Sequence, residues 1–380
     1  MNLLTFTEPV QIAFTKSSGE VRVTLEAGRE YLFTSHQVSK FMTDPNMADR
    51  VYKISKCDMR VANFVSRTEG RGGRIMIFNG SGGFGDQIMT WPFARLLSQW
   101  YEVHVLTDPG NALCWWNMPF LRSVQQLPIQ WDLLKMYNHL ALFEEVVNTD
   151  EHTDQEHPLD VMLRRVGLDP ATVADSAKVV KPLFTFHEVQ AARTRFASFG
   201  GKKVGLYQLS SANPVRALPP EDSIFLALKL AEAFPDMQWL ALHDEFIPEG
   251  YTKTLNERIA ADQLKNIQSL KFPNLRELWA FTDLASVVVA PDSMMVHAAG
   301  MHGTPCVGLW GPVDPSRRVR YYANHHAIHH REYCPHAPCF AYSASFPRYC
   351  PARPTPRTVC ECIAGIAATE VVDLVAKVRR

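Results

Sequence analysis

The chain has 380 residues, enough for two domains or three small ones, and its 46% hydrophobic and 21% charged residues are ordinary for a globular fold in water. Lys+Arg and Asp+Glu are 39 each, so no strong electrostatic pull toward nucleic acid or an anionic membrane surface follows. No apolar run reaches the ~18 residues of a membrane span. The opening MNLLTFTEPVQIAFTK lacks a basic start with an apolar core, and the eight cysteines are irregularly spaced, so a cytoplasmic setting with reduced thiols is expected.

Residues 1–70 read as a small β-rich extension. VQIAF, VRVTLEA and EYLFT alternate apolar and polar residues between turn-forming clusters, and Ser35 is placed to cap a short helix through Met42. Residues 67–73, RTEGRGG, have the composition of a linker. Arg74–Asn79 then reads as a buried strand, followed by a glycine turn from Gly80 to Asp86, a helix from Gln87 to about Trp100 and a strand Tyr101–Thr107. Gly80, Gly82 and Gly85 fit the G-x-G-x-x-G spacing, with Asp108 where a ribose-binding acid would stand. Any βα turn that admits a ligand close to the backbone favours glycine, so this dinucleotide reading stays open beside others, including Asp86 as a plain helix cap.

NALCWWNMPFL and WDLLKMYNHLAL read as helices, VQQLPI and FEEVVN as strands. His152, Asp154 and His157 have a metal-like spacing in EHTDQEHP, but the polar composition favours a solvated loop. Leu159–Val166 reads as a helix, and Glu188–Lys203 as a helix and hinge broken at Gly200-Gly201.

From Val204 the alternation starts afresh. Val204–Leu209 is a strand, followed by a loop holding Arg216 and Pro219, a helix Ser223–Phe234 and a strand MQWLALH. Ile267–Leu270 is a short strand, Leu275–Phe281 a helix, and Ser286–Ala290 and Cys306–Trp310 are strands around a helix Ser293–Met301. Asp292 and Ser293 can cap that helix, whose free N–H groups and dipole make a seat for phosphate. His297 lies one turn inside, and Gly311 and Pro312 end the next strand on the same carboxyl edge, where open α/β sheets bind ligands. His325, His326, His329 and His330 read as surface residues. Cys334, Cys339, Cys350 and Cys360, with Cys362 nearby, allow a structural zinc site or reduced thiols, and Ala367–Val378 reads as a terminal helix.

The order Asp292-Ser293, His297, Gly303-Thr304-Pro305, Gly311-Pro312 and Asp314-Pro315 resembles the donor-sugar motif of the heptosyltransferase-like glycosyltransferases of family 9. The loop GDQIMTWP, with Gly85, Asp86 and Pro92, resembles that family's acceptor-facing loop. The resemblance implies the α/β GT-B fold: two Rossmann-like parallel-sheet domains facing a cleft, plus the β-rich extension. It assigns residues 74–190 to an acceptor-side domain and 203–380 to a donor-side domain with the Cys-rich tail and terminal helix. It further implies an inverting, metal-independent transfer from a nucleotide-diphosphate sugar as co-substrate, with no other cofactor.

In that scheme Asp86 is the general base beside the loop glycines Gly83 and Gly85. Arg216, Asp292, Ser293, His297, Gly311 and Pro312 bind the donor. Arg216 stands three positions before Pro219, as a basic residue does in the family. The family usually has glycine after the Asp-Ser/Thr pair; Met294 here leaves less room for a phosphate. A lipopolysaccharide-type glycan is the first acceptor expected, with a modified DNA base, a protein or a small metabolite open. Two other readings stand beside this one: an NAD(P)-dependent oxidoreductase using the Gly80–Gly85 turn, and a catalytically silent binding protein on a GT-B scaffold.

Overall fold

A computed structural model describes residues 2–16, 19–44, 51–56, 64–66, 72–78, 83–143, 156–212, 214–243, 249–339 and 360–380. The chain divides into two compact units, Met1–Val147 with Leu159–Lys178, and Asn148–Pro158 with Val179–Arg380. The expected α/β class with two parallel sheets is borne out.

The first unit holds a five-stranded sheet made of β6 (Phe64–Ser66), β11 (His139–Leu142), β7 (Arg74–Phe78), β8 (Glu102–Thr107) and β9 (Ser123–Gln126), in that spatial order. All pair in parallel except β6, which is an antiparallel edge. The four residues Ile75 to Phe78 are buried, as a strand covered on both faces requires. The helix Phe84–Leu97 follows β7.

The extension forms a second, antiparallel sheet from β1 (Asn2–Phe6), β4 (Glu30–Phe33) and β5 (Val51–Lys56), and a separate hairpin of β2 (Val10–Lys16) and β3 (Gly19–Leu25). Its fourth strand, β10 (Ile129–Gln130), comes from the chain beyond β9 and pairs with β4. Leu3 and Leu32 share a core with Met76, Phe78, Leu106 and Leu127, so the extension and the Rossmann-like sheet pack as one body. Gln37 Nε2 also donates to Asp108 Oδ1 at 2.9 Å, at the carboxyl end of β8.

The second unit has six parallel strands in the order β14 (Ile267–Leu270), β13 (Met237–Leu242), β12 (Lys203–Gln208), β15 (Val287–Pro291), β16 (Cys306–Trp310) and β17 (His325–His329). The helices Pro220–Ala233, Glu249–Ala261, Leu275–Thr282 and Met294–His302 supply crossovers. Gly200 and Gly201, both at positive φ, break the chain before β12.

Four expectations are corrected. Thr34, not Ser35, caps the first helix, because its hydroxyl takes the Gln37 N–H and the Gln37 side chain takes the Thr34 N–H. NALCWWNMPFL is a 3₁₀ turn, Pro109–Trp115, rather than an α-helix. WDLLKMYNHLAL makes one helical turn, Trp131–Leu134, and then becomes β11. Asn138 forces that exit: its Oδ1 accepts the Arg74 N–H at 2.9 Å while its own N–H goes to the Arg74 carbonyl at 3.0 Å. Finally, His325–His329, expected at the surface, is an edge strand of the sheet whose histidines are half-buried, and His325 Nε2 accepts the Trp310 indole N–H at 3.0 Å. FEEVVN lies outside the described residues except for its first residue, Phe143.

Candidate functional site

In the second sheet the chain winds from β12 out to β14 on one side, then returns through β15 to β17 on the other. The reversal falls between β12 and β15, and a parallel sheet opens a crevice at such a point, beyond the carboxyl ends of its strands. The loops after β12 and β15 flank this crevice and carry Arg216 and Asp292. Arg216 Nη1 lies 3.8 Å from Asp292 Oδ2, with the arginine about one-fifth exposed and the carboxylate nearly covered. The pair is therefore partly shielded from water, where a charge on a ligand is felt more strongly.

Each loop is fixed from behind. The Leu209 carbonyl, at the end of β12, accepts the Ser223 hydroxyl at 2.8 Å and the Tyr251 hydroxyl at 3.2 Å. Ser211 Oγ donates to the Asp292 carbonyl at 3.1 Å and ties the two loops together. Ser293 caps the helix Met294–His302, its hydroxyl taking the Met295 N–H at 3.3 Å. The helix ends at Gly303 in the left-handed conformation, φ 68°.

Gly311 and Pro312 follow β16 on the same edge. A Cβ on Gly311 would stand 3.1 Å from Ile363 Cβ and 3.5 Å from the Val215 carbonyl, so a side chain here would push on the tail helix Glu361–Ala364 by a few tenths of an ångström. Gly311 also accepts from His329 Nε2 at 3.0 Å through its carbonyl.

His297 faces inward. Its Nδ1 is 3.2 Å from the Tyr322 hydroxyl, and burial, reinforced by His157, Arg318, His325 and Arg216, holds its pKa well below the usual histidine range. At neutral pH the ring is uncharged and braces the helix from within. His157, expected in a solvated loop, is buried, with Nε2 3.0 Å from the Arg318 carbonyl; His152 and Asp154 lie outside the described residues. Asp314 Oδ1, just ahead of the short helix Ser316–Val319, accepts the Ser316 N–H at 3.0 Å and the Ser316 hydroxyl at 2.7 Å.

The first sheet reverses too, between β7 and β11. The loop after β7 leads to Asp86, although Gly80 and Gly82 lie outside the described residues. Asp86 Oδ2 accepts the Gly83 N–H at 2.8 Å, closing the first turn of the helix that contains Gly85. Asp108, the acid of the dinucleotide reading, is engaged by Gln37 of the extension.

Structure thus gathers Arg216, Asp292, Ser293, Gly311 and Pro312 at one strand edge of the second unit and sets His297 behind them. Asp86, Gly83 and Gly85 belong to the first unit. The sequence reading missed Ser211 and Tyr322. Only Ser211, in a polar pair directly after a strand, carried a visible signal.

Cys334, Cys360 and Cys362 are buried in the second unit's core, Cys339 is half-buried, and Cys350 lies outside the described residues. Cys360 Sγ and Cys362 Sγ are 3.0 Å apart. Among the described residues, no group of three or more His, Cys, Asp or Glu is arranged to hold a metal ion, and no helix is long and apolar enough to cross a membrane.

Two Rossmann-like units, each with a parallel sheet whose winding reverses, are the plan of the GT-B fold. The family model of glycosyltransferase family 9 (heptosyltransferase) matches residues 252–350, within the second unit, in line with the resemblance read from the sequence. Among solved structures it is similar to the ADP-heptose lipopolysaccharide heptosyltransferase II of Escherichia coli, at 12% identity and TM-score 0.58 over 80% of this chain and 98% of that one. A family-9 glycosyl transferase of Veillonella parvula gives 12% identity and TM-score 0.56 over 82% and 98%. The iron-containing dodecameric glycosyltransferase TibC of enterotoxigenic E. coli gives 10% identity and TM-score 0.52 over 99% and 93%. These likenesses show the fold. Among curated proteins no sequence match was found.

Proposed function

We propose that the protein transfers a glycosyl group, of heptose or hexose type, from a nucleoside-diphosphate sugar to an acceptor hydroxyl with inversion. The observation that carries this reading is the Arg216–Asp292 pair at the sheet's reversal point, beside the helix opened by Ser293. The guanidinium and the helix N-terminus supply positive potential where a diphosphate leaving group gathers charge. That is electrostatic stabilisation by fixed groups and requires no metal at the reacting atoms. The bond from the anomeric carbon to the diphosphate breaks, the electron pair leaves with the diphosphate, and the acceptor oxygen bonds to that carbon. The acceptor proton passes to Asp86. Heptosyltransferase II is named for ADP-heptose and lipopolysaccharide, which makes an ADP-sugar the first donor to test and a lipopolysaccharide-type glycan the first acceptor. A protein or modified DNA base is the next. The dinucleotide reading gains no support from the family model or the similar structures.

TibC is iron-containing, and in this chain Cys334, Cys339, Cys350 and Cys360 are the thiols that would hold such an ion; thiolate sets suit iron or zinc equally. Elemental analysis of the purified protein against a Cys334→Ser, Cys360→Ser variant tests that assignment. For the donor site, calorimetry with ADP, UDP, GDP and CDP and their sugars should find one preferred diphosphate. Arg216→Ala should weaken it about tenfold or more, as loss of a charge-assisted contact does. Unchanged affinity would remove Arg216 from the site.

A further inference from the structure

We infer that Trp279 is a positioning residue for the donor: its indole N–H holds the Met294 thioether aside from the mouth of the helix on which the diphosphate is proposed to rest. The inference depends on that donor reading. Met294 is the first residue of the helix Met294–His302, directly after the Ser293 cap. Side chains of a helix lean toward its N-terminus, so a long side chain at this position stands beside the anion seat. A glycine at this position would leave the seat open. Met294 instead lends its sulfur to Trp279 Nε1, 2.9 Å away on the neighbouring helix Leu275–Thr282.

Trp279 is a rigid anchor. Its ring is fully buried, and Asn274 caps its helix through the Glu277 N–H at 2.8 Å. The residues on either side of that turn are pinned to the helix Phe186–Ala197: Arg276 pairs with Glu188, at 3.2 Å from Nη2 to Oε2, and Glu277 pairs with Arg195 Nε at 2.9 Å. A thioether is a weak acceptor, and the buried indole N–H is directed at it. The contact therefore serves two ends: it satisfies the indole and sets the methionine on one flank of the seat. Met294 and Ser293 are both partly exposed, as a seat open to a ligand requires.

The test uses the full chain and titrates ADP, UDP, GDP and CDP. Met294→Leu keeps the volume and removes the acceptor; Trp279→Phe removes the donor. Each should weaken the preferred diphosphate about fivefold and raise the KM for its sugar while kcat holds. The double variant M294L/W279F should bind no worse than either single one, because one contact is lost once. Met294→Gly in the W279F background should restore wild-type affinity, since no side chain is left to hold aside. Unchanged affinity in both single variants, additive losses, or failure of the glycine to rescue each overturns the inference. Should W279F not fold, the comparison rests on M294L weakened and M294G at wild-type strength, and equal affinities for those two overturn it. If the wild type binds none of the four diphosphates, the donor reading itself falls, a different result from wild-type binding that the variants leave untouched.

Discussion

Asp86 caps its own helix, and that same bond fixes the rotamer in which it would work as a base. A carboxylate offers about four lone-pair directions, so accepting the Gly83 N–H leaves capacity for a substrate proton. Asp86→Asn keeps an oxygen for the cap but loses the basicity. It should cut transfer by roughly 10²–10⁴-fold and leave diphosphate affinity near wild type, measured by initial rates and calorimetry. Normal turnover in that variant would end the assignment of Asp86 as base. A second prediction concerns pH. Burial depresses His325 to about 3 and holds His297 and His302 below their ordinary value. Groups whose folded pKa lies below the unfolded one contribute stability above about pH 6.5, and this is lost as pH falls toward the folded value. The melting temperature should therefore decline from about pH 6.5 downward, before the contribution of Asp283, held low by His302 and Lys181, starts to be lost below about pH 4, the ordinary value of the unfolded carboxylate. His325→Gln should flatten the upper part of that decline; an unchanged profile would show that His325 does not drive it.

At the scale of elements, the helix Met294–His302 is held by what it packs against more than by its caps. A Cβ on Gly300 would stand 2.3 Å from the Tyr322 ring, whose hydroxyl meets His297. Gly300→Ala gains about 1 kcal/mol of helix propensity but must displace that ring, at a cost of about 1–3 kcal/mol. A lower melting temperature and weaker diphosphate binding are expected; a stabilised protein would mean that the ring moves freely. The strands of the second sheet were readable to within a residue because β-branched runs between turn residues have no competing helical solution. The strand β17, HHAIH, was not, since its composition is polar and it is held by backbone pairing to β16. The site shows the same division. The place of Asp292, directly after β15, was legible from the strand pattern, and Arg216, in the loop after β12, stood out only through the resemblance. The Trp279–Met294 contact was not, because it joins two helices whose packing no local pattern states. The tail helix behind Gly311 was hidden likewise.

For the molecule as a whole, the extension decides how the first unit holds together. A separable appendage would have its own core and a linker. Here Leu3 and Leu32 lie in the core of the Rossmann-like sheet, and β10 returns from that sheet to complete the extension's own. The alignment with TibC, spanning 99% of this chain, likewise places the extension within a shared fold. Leu32→Ala should then cost about 2–5 kcal/mol, as deletion of a fully buried leucine does. Removing residues 1–66 goes further: it strips β4 from β10 and bares the apolar face formed by Phe78, Leu106, Leu127 and Ile129. The second unit has a core of its own, around Trp239, Val289 and Leu309. The truncated chain should therefore show one surviving melting transition, that of the second unit, together with exposed apolar surface detectable by dye binding, and no transfer activity. Two intact transitions in the truncated chain would mean that the extension is an appendage after all, and that the Rossmann-like sheet of the first unit stands without it.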